Sequence, residues 1–599
     1  MPLLTFARTH AKHFPSSKSV SAFAAGIATG HTGLYKIAPK TTLLPTRGYR
    51  RIHTSKSLRV EESLAQKMAS PTVGAGPFMH TSGATLSVWT RRDDLEQRPH
   101  IKSLQSDLTT DVCVIGAGIS GLSIAYELVT RGKNVVLVDA RDILSGETGR
   151  TSGHLANALD DHYIHITKKH GKDGARIAAE SHTWALNHVG DVSKKLGIDC
   201  EYRYVPGYEI SQHQKGSKGH EDDMKELREE VKLAKELGIE AEFRDDLVVR
   251  GWSGAPDQRG GAVFANQAAF HPTIYLSGVL AWLQKQPNFQ CFARTRVLSI
   301  LEQGPKSVML QTEGGLNIRC DQAVEATNIP LQKLAVIAEM EFNRTYCIAI
   351  QIPKGSVEDC FLYDSAEVYK YVRLTACDEK NDYMIVGGCD HKVGQEDPTG
   401  RFEELEAWVR ERFPQAGQVD YRWSGQVNEP VDYMGFIGKN QGQENVYIVT
   451  GDSGNGLTHG VLAGRLIADE IEGIDNPWAK LYSPKRLASI IKSAPSMIKH
   501  DIQINAQYKK YLQPDIKDIE DLVPGSGGIM NTAPLNPVAV YKDENGKITK
   551  MNALCPHMKG VVCWNPTEKS FDCPVHGSRF SNSGLCVNGP AKGNLDILD

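Results

Sequence analysis

Residues 111–139 have the order strand, glycine turn, helix, strand and acid. The apolar residues 112–115 lead into Gly116, Gly118 and Gly121, and a second apolar run ends at Asp139. Gly116 would form the tight turn, Gly118 would let the backbone approach a pyrophosphate, and Gly121 would let the helix pack on the strand. Asp139 would accept hydrogen bonds from a ribose. The segment therefore predicts a dinucleotide site at a helix N-terminus.

A second pattern lies near the C-terminal end of the sequence. Cys555 and His557 form C-x-H, and Cys573 and His576 form C-x-x-H after a gap of fifteen residues. Two thiolates and two imidazoles in this order suit a Rieske [2Fe–2S] cluster, with cysteines on one iron and histidines on the other. The alternative is a Cys₂His₂ zinc site, although zinc fingers usually carry both cysteines first. Because such a cluster carries one electron at a time, we expect a redox partner elsewhere in the chain.

The glycine motif alone does not distinguish FAD from NAD, so the choice depends on later residues. Residues 146–154 read Gly-Glu-Thr-Gly-Arg-Thr-Ser-Gly-His, and residues 447–460 form another glycine-rich segment. The first resembles the loop that lies along the flavin in the D-amino-acid oxidase/glycine oxidase superfamily, and the second resembles its closing motif. The resemblance covers roughly residues 108–475 and implies FAD. It also implies these cofactor contacts: Arg150, Thr151, Ser152, His154, Gly451, Gly454, Gly456 and Thr458.

Residues 518–599 closely resemble a Rieske domain. Residues 539–546 read as a strand and hairpin, and residues 589–591 match the proline loop that covers such clusters. The whole chain is similar to amino-acid-oxidase-like flavoproteins with a C-terminal Rieske domain. This resemblance implies that the cysteines bind the iron that stays ferric and that the histidines face the solvent, where the electron leaves.

The sequence departs from the high-potential Rieske pattern at one point. Such proteins carry a disulfide between two loop cysteines, and the matching positions here are Gly560 and Val575. Cys563 and Cys586 are near but out of register, and we interpret them as packing cysteines. We therefore expect no loop disulfide and a potential toward the low end of the Rieske range of about −150 to +300 mV.

The implied fold class is an α/β FAD-binding, Rossmann-like domain with an α+β substrate domain, followed by a small all-β Rieske domain. The predicted organisation is a transit peptide or disordered segment at 1–70, an N-terminal extension at 71–107, an FAD-dependent amine or amino-acid oxidoreductase domain at 108–475, a helical linker at 476–514 and a Rieske domain at 515–599.

Composition bears on location and partners. No Asp or Glu precedes Glu61, whereas Arg, Lys, Ser and Thr are frequent there, which is typical of an organellar transit peptide. We expect a mitochondrial protein, or otherwise a cytoplasmic one with a basic tail. The net charge of −3 gives no argument for nucleic acid, and the sequence contains no apolar run of about 20 residues that would predict a membrane span. Its twelve scattered cysteines suit a reducing compartment.

Two arginines and two histidines are candidate active-site residues. A substrate carboxylate needs an arginine to hold it in bidentate fashion, and Arg373 and Arg344 each have tyrosines nearby. The alternative for each arginine is a structural ion pair. His459 and His154 flank the expected flavin loops and are candidates for contact with the ring, and His154 also for covalent attachment. The alternative for both is a hydrogen-bonded loop histidine.

The segment 157–170 superficially resembles the mononuclear-iron motif of Rieske oxygenases. It contains Asp160, Asp161, His162, His165 and His170, which offer two histidines and a carboxylate. The spacing differs, the segment directly follows the expected flavin loop, and the Rieske region comes last in the chain. We therefore do not favour an iron oxygenase.

These observations favour an FAD-dependent oxidoreductase that oxidises an amine or amino-acid C–N bond. Electrons would pass singly through the Rieske cluster to an acceptor protein or quinone. One alternative is a reductase driven by NAD(P)H that feeds an oxygenase partner, although the sequence has no second glycine fingerprint. Another alternative is a non-enzymatic redox or iron sensor.

Overall fold

The computed structural model describes residues 84–90, 101–253, 260–331, 334–366, 368–486, 503, 506–533 and 535–598. The predicted transit peptide at 1–70 lies outside this part of the chain, as does most of 487–505 in the predicted linker. The described N-terminal residues include a 3₁₀ helix at Val88–Thr90. In the described linker, a 3₁₀ helix spans Gln507–Leu512.

The strands before the linker are, in chain order, β1 (Leu108–Ile115), β2 (Val135–Val138), β3 (His154–Leu155), β4 (Arg203–Ile210), β5 (Ala241–Arg244), β6 (Gly261–Ala269), β7 (Phe289–Phe292), β8 (Val297–Gly304), β9 (Ser307–Thr312), β10 (Asn317–Glu325), β11 (Met340–Pro353), β12 (Phe361–Asp364), β13 (Tyr371–Ala376), β14 (Asn381–Lys392), β15 (Val419–Pro430), β16 (Phe436–Lys439) and β17 (Val446–Thr450).

After the linker come β18 (Ser526–Ala533), β19 (Asn536–Lys542), β20 (Ile548–Asn552), β21 (Cys563–Asn565), β22 (Ser570–Asp572), β23 (Arg579–Ser581), β24 (Cys586–Asn588) and β25 (Ile597–Leu598). The helices are α1 (Ile119–Thr130), α2 (Tyr163–Leu196), α3 (Lys218–Glu236), α4 (Pro272–Leu283), α5 (Arg401–Arg412), α6 (Gly456–Glu472) and α7 (Ala479–Tyr482). The backbone of α2 leaves the helical conformation at Gly171.

The first sheet has the strand order β16-β17-β10-β1-β2-β7, with the β8–β9 hairpin paired to β10. Strand β1 lies parallel to both β2 and β10, and β10 lies parallel to β17. Every residue of β2 and β17 is buried, as expected for central strands covered on both faces. The carboxyl ends of these parallel strands therefore meet at one edge, where a doubly wound sheet binds its ligand.

The second sheet has the order β15-β11-β14-β13-β12-β4-β6-β3, with β5 paired to β6. Its long strands β11, β14 and β15 pair antiparallel, and α5 packs on one face. The region after the linker contains two antiparallel sheets, β18-β19-β20-β25 and β21-β22-β23-β24. These three parts confirm the predicted fold class of an FAD-binding region, a substrate sheet and a small all-β region.

A buried carboxylate joins the C-terminal region to the rest of the protein. Glu568 lies in the hairpin between β21 and β22, and its side chain has no solvent exposure. Its Oε1 is 3.0 Å from Nη2 of Arg344 and 3.5 Å from Nη2 of Arg150. The hydroxyls of Thr85 and Ser424 donate to the same oxygen. Groups from four distant chain segments therefore meet on one hairpin.

The charge of Glu568 is strongly favoured in the folded protein. Burial alone would raise the pKa of this carboxyl, but the arginines Arg150, Arg344 and Arg579 outweigh it and hold the pKa well below its usual value. Because the folded pKa is depressed, this stabilisation is complete above the ordinary glutamate pKa of about 4.3 and is lost as the pH falls further.

We predict that Glu568→Gln lowers the free energy of unfolding by about 3–5 kcal/mol, because it leaves two buried arginines without their counter-charge. Glu544→Gln is the matched control, since Glu544 forms an exposed pair with Lys569 in the same region and should contribute at most about 1 kcal/mol. Thermal unfolding at neutral pH measures both variants. Equal melting temperatures for the two variants would contradict the prediction.

Candidate active site

The glycine turn after β1 is shaped by close backbone contacts. Gly116 has φ of 102°, and a Cβ there would collide with the carbonyl oxygen of Ala326. A Cβ on Gly121 would collide with the carbonyl oxygen of Gly116, so helix α1 packs directly on the turn. A Cβ on Gly118 would lie 2.9 Å from Oγ1 of Thr148. The turn and the first residues of α1 also line a cavity.

Asp139 fixes the turn from the end of β2. Its Oδ2 accepts from the backbone N–H of Ala117 at 2.8 Å, and its Oδ1 accepts from that of Arg141 at 2.9 Å. Burial raises the pKa of Asp139, and the positive charge of Arg141 opposes this shift. The predicted ribose contact of Asp139 stays a prediction, and its carboxylate also has this structural role.

A long cavity runs from the glycine turn to the second sheet. Many of the predicted cofactor residues lie in its wall: Gly116, Gly118, Asp139, Arg150, Thr151, Ser152, His154, Gly451, Gly454, Gly456 and His459. Gly121 lies behind the turn, and the Thr458 hydroxyl pairs with Nδ1 of His182 at 2.7 Å. Buried wall atoms without a hydrogen-bond partner include Oε1 of Gln426 and Nδ2 of Asn588. An elongated polar cofactor would satisfy such atoms, so the residues present fit FAD.

Both candidate histidines of the wall are neutral at ordinary pH. Burial and the charge of Arg373 lower the pKa of His154 to about 3, and burial with Arg486 does the same for His459. His154 contacts Oγ of Ser152 at 2.9 Å and the carbonyl of Val372 at 3.3 Å. Both ring nitrogens of His154 are thus engaged, which favours the interpretation of a hydrogen-bonded loop histidine.

The structure does not bring the two candidate arginines to the cavity wall. Arg344 is fully buried against Glu568 and Ser424. Arg373 is also fully buried, and its Nη1 donates to the carbonyls of Gly153 and Phe270. Both guanidinium groups therefore have structural partners, and the geometry does not favour either as a substrate carboxylate clamp.

The four predicted cluster ligands come together as two pairs. Cys555 and Cys573 are buried, and their thiols are close enough that each shifts the pKa of the other, lowering that of Cys555 and raising that of Cys573. The rings of His557 and His576 lie 4.9 Å apart between centroids. Among the described residues, no three His, Cys, Asp or Glu side chains converge on one point where a single ion would bind. A two-iron cluster needs two separate pairs, so the arrangement fits [2Fe–2S] better than zinc.

The remaining cysteines of this region have other partners. A Cβ on Gly560 would collide with the side chain of Val575, so the two positions of the high-potential disulfide do face each other. Cys563 accepts from Nζ of Lys510 at 2.7 Å, and burial raises the pKa of its thiol to about 11. Cys586 is buried and its Sγ lies 3.2 Å from the carbonyl of Ala591, in the predicted proline loop.

The C-terminal region also forms part of the cavity wall. Residues 587–591, which include the predicted proline loop, line the same cavity as the glycine turn. Gln426 of β15 lines the cavity too, and its Nε2 donates to the carbonyl of Gly577 at 3.1 Å. The ring of the neighbouring His576 lies 6.3 Å from that of Phe342 in β11. His576 thus contacts the second sheet, whereas we had expected both histidines to face solvent.

Sequence reasoning assigned no role in a flavin site to the residues at the far end of the cavity, although Asp160 stands in the segment that resembles an iron-oxygenase motif. This end is lined by carboxylates and tyrosines, namely Asp160, Asp390, Glu429, Tyr363, Tyr369 and Tyr371. The other five come from β12, β13, β14, β15 and their loops, and the pairing of the second sheet brings them together, whereas Asp160 comes from the loop between β3 and α2. The tyrosines beside Arg373 in sequence could have indicated an aromatic wall at this end of the cavity.

The segment that resembles an iron-oxygenase motif does not form such a site. Asp161 accepts from Oγ of Ser453, and Nε2 of His170 contacts the carbonyl of Asp432 at 2.7 Å. Nε2 of His162 lies 3.6 Å from Oε1 of Glu209. These side chains thus have separate partners, and Asp160 alone faces the cavity.

The fold and the site define a flavin-dependent oxidoreductase that carries a Rieske domain. A family model described as FAD dependent oxidoreductase matches residues 111–470, and the chain belongs to that family. A second model, the Rieske [2Fe-2S] domain, matches residues 517–599. Both predicted cofactors, FAD and the [2Fe–2S] cluster, are confirmed by these matches.

Several known proteins are similar to the chain. YhfW of Bacillus subtilis (strain 168), named as a Rieske 2Fe-2S iron-sulfur protein, is 28% identical over 85% of this chain and 97% of its own length. Gamma-glutamylputrescine oxidoreductase of Escherichia coli (strain K12) is 28% identical over 62% of this chain and 85% of its own. The fold is similar to glycine oxidase from Geobacillus kaustophilus, with a TM-score of 0.54, 16% identity, and coverage of 63% of this chain and 99% of that one.

We predict that Gly121→Ala yields protein that retains little flavin, because the new Cβ collides with backbone at the turn that receives the cofactor. Gly314→Ala is the control, since a Cβ there meets only Oγ1 of Thr312 at 4.0 Å. The ratio of flavin to protein absorbance measures the effect. A full flavin complement in the first variant would contradict the assigned packing.

Proposed function

We propose that this protein oxidises the C–N bond of a small amine or amino acid and delivers the electrons singly through its Rieske domain to an acceptor protein or quinone. One observation carries the proposal: residues 587–591 of the Rieske domain and the glycine turn of the FAD-binding region line one cavity. When bound, FAD supplies two-electron oxidation and the cluster supplies one-electron transfer.

The residues of the chain have distinct parts in this reaction. The glycine turn and the N-terminus of α1 would bind the pyrophosphate, and the second sheet would cover the reacting carbon and exclude water. The names of the relatives support a C–N substrate, since they include an oxidoreductase of gamma-glutamylputrescine and a glycine oxidase.

Gln426 is the side chain that connects the two redox regions. It is 4% exposed, its Oε1 has no partner, and its Nε2 holds the carbonyl of Gly577 next to the ligand His576. We propose that Gln426 is a positioning residue that keeps this ligand loop against the cavity. Replacing the Gln426 side chain should loosen the ligand loop of His576, through which the electron would reach the cluster.

Location is a separate proposal. The acid-free, basic composition before Glu61 supports import into mitochondria. Among the described residues, no helix combines the length and apolar character needed to cross a membrane.

We predict that Cys573→Ser still lets an amine bleach the flavin but abolishes both the reduced Rieske EPR signal and turnover with acceptors other than oxygen. Cys563→Ser is the control, because this thiol lies in the same domain outside the ligand pairs. The measurement is anaerobic mixing with a panel of amines and amino acids, followed by absorbance and low-temperature EPR. Unchanged turnover of Cys573→Ser with every such acceptor would refute the electron route. Rapid bleaching by NAD(P)H alone would favour a reductase.

We also predict that Gln426→Leu slows reduction of the cluster about tenfold or more after the flavin is reduced, while the Rieske EPR line shape is retained. Gln395→Leu is matched, since Gln395 donates to the carbonyl of Pro574 at 2.9 Å in the same ligand loop but does not line the cavity. Stopped-flow absorbance separates the two steps. Equal cluster-reduction rates in the two variants would exclude the positioning role.

A further inference from the structure

Three carboxylates line the end of the cavity at the second sheet, and among the described residues no lysine lines the wall. These carboxylates are Asp160, Asp390 and Glu429, and Oδ1 of Asp390 is a buried atom with no hydrogen-bond partner. Burial raises the pKa of Asp390 to about 6, and burial together with the charge of Asp390 raises that of Glu429 to about 7. The carboxylates therefore disfavour one another's charge, and a cation among them would relieve this.

The basic groups near these carboxylates are held elsewhere. Nζ of Lys370 lies 3.2 Å from the carbonyl of Val368 and 3.4 Å from Oε1 of Glu404. His162, which faces Asp160, lies against Glu209. Arg401, which also acts on Asp390, pairs with Glu396. Within the described residues, the arginines of the cavity wall are Arg141, Arg150 and Arg296, and the wall contains no lysine.

Those three wall arginines belong to the part of the cavity beside the Rieske domain. Arg141 donates to the carbonyl of Val587, Arg296 to that of Cys586, and Arg150 faces Glu568. Each of the three therefore already has a partner in the Rieske domain.

Aromatic rings form a second, independent feature of this end. Tyr363, Tyr369 and Tyr371 line the cavity, and the rings of Tyr369 and Tyr371 lie 5.6 Å apart between centroids. The hydroxyl of Tyr369 donates to Oδ2 of Asp160 at 2.7 Å, and the buried hydroxyl of Tyr363 has no partner. Ring faces next to carboxylates are the surroundings that attract an organic cation.

We propose that the substrate is a cationic amine without a carboxylate next to its nitrogen. It binds in its protonated form beside Asp390, Glu429 and the tyrosines and gives one N–H proton to one of these carboxylates, so that the neutral amine is the form that is oxidised. This inference rests on the proposed function for the reaction, and it narrows the substrate class from amines and amino acids to amines. Simple alkylamines are protonated at neutral pH, so their positive charge would complement the carboxylates of the cavity on binding. An α-carboxylate would instead lie among like charges, and the arginines that line the cavity within the described residues already have partners in the Rieske domain.

The first test measures binding without turnover on the flavin-containing protein. Benzyltrimethylammonium and benzoate both present a benzene ring, but they carry opposite charges and neither contains an oxidisable amine C–N bond of the substrate type. We expect a saturable change in flavin absorbance with the cation, and binding of benzoate at least tenfold weaker. Tighter binding of benzoate than of the cation would overturn the proposal.

Asp390→Asn should weaken binding of benzyltrimethylammonium about tenfold, which corresponds to the loss of one charge contact of about 1.4 kcal/mol. Asp382→Asn is the matched control, because Asp382 lies on the same strand β14, pairs with Lys354 at 3.9 Å and does not line the cavity. Unchanged cation affinity in Asp390→Asn would remove this residue from the site and contradict the proposal.

A second test compares substrates that differ only by a carboxylate. Tyramine against tyrosine, and phenethylamine against phenylalanine, are mixed anaerobically with the protein while the flavin absorbance is recorded. We expect bleaching at least tenfold faster with the amine of each pair. Faster bleaching by the amino acids would overturn the substrate class but leave the proposed function intact. Cation binding without bleaching by any amine or amino acid would support the charge preference and defeat the proposed oxidation.

Discussion

The ion pairs of Glu568 are the interaction on which the arrangement of the two redox regions depends. The carboxylate sits in a short hairpin of the Rieske domain, yet its partners Arg150 and Arg344 belong to the flavin loop and to strand β11. Separating this buried carboxylate from its arginines costs free energy, because each charged group would remain desolvated without its counter-charge. The hairpin therefore holds the cluster domain in one orientation, and that orientation brings residues 587–591 to the cavity.

This constraint accounts for several other features. Arg344 contacts Glu568 of the Rieske domain, and this geometry does not favour it as a clamp for a substrate carboxylate. Gln426, next to Gly425 and Ser424 on the same strand, reaches the ligand loop because that strand already contacts Glu568. The second sheet thus has two roles. Some residues of its strands contact the Rieske domain, and neighbouring residues on the same strands line the cavity.

The sequence predicted the site best where cofactor binding requires particular residues at a fixed spacing along the chain. The glycine turn with Asp139, and the Cys–His pairs, are local patterns, and the structure places each as a unit. The acidic and aromatic end of the cavity could not be predicted, because Asp160, Tyr369, Asp390 and Glu429 come from separate strands and loops whose register decides their contacts. The geometry does not favour the arginine prediction for a related reason: an arginine beside tyrosines in sequence can point to a carbonyl or to another domain's carboxylate.

The central claim is that electrons cross from flavin to cluster within one chain. The direct measurement is a single anaerobic turnover with limiting amine, in which the rate of appearance of the reduced cluster is followed at several protein concentrations. The account predicts a first-order rate that does not change with concentration. A rate proportional to protein concentration, or a cluster that stays oxidised while the flavin is bleached, would contradict it.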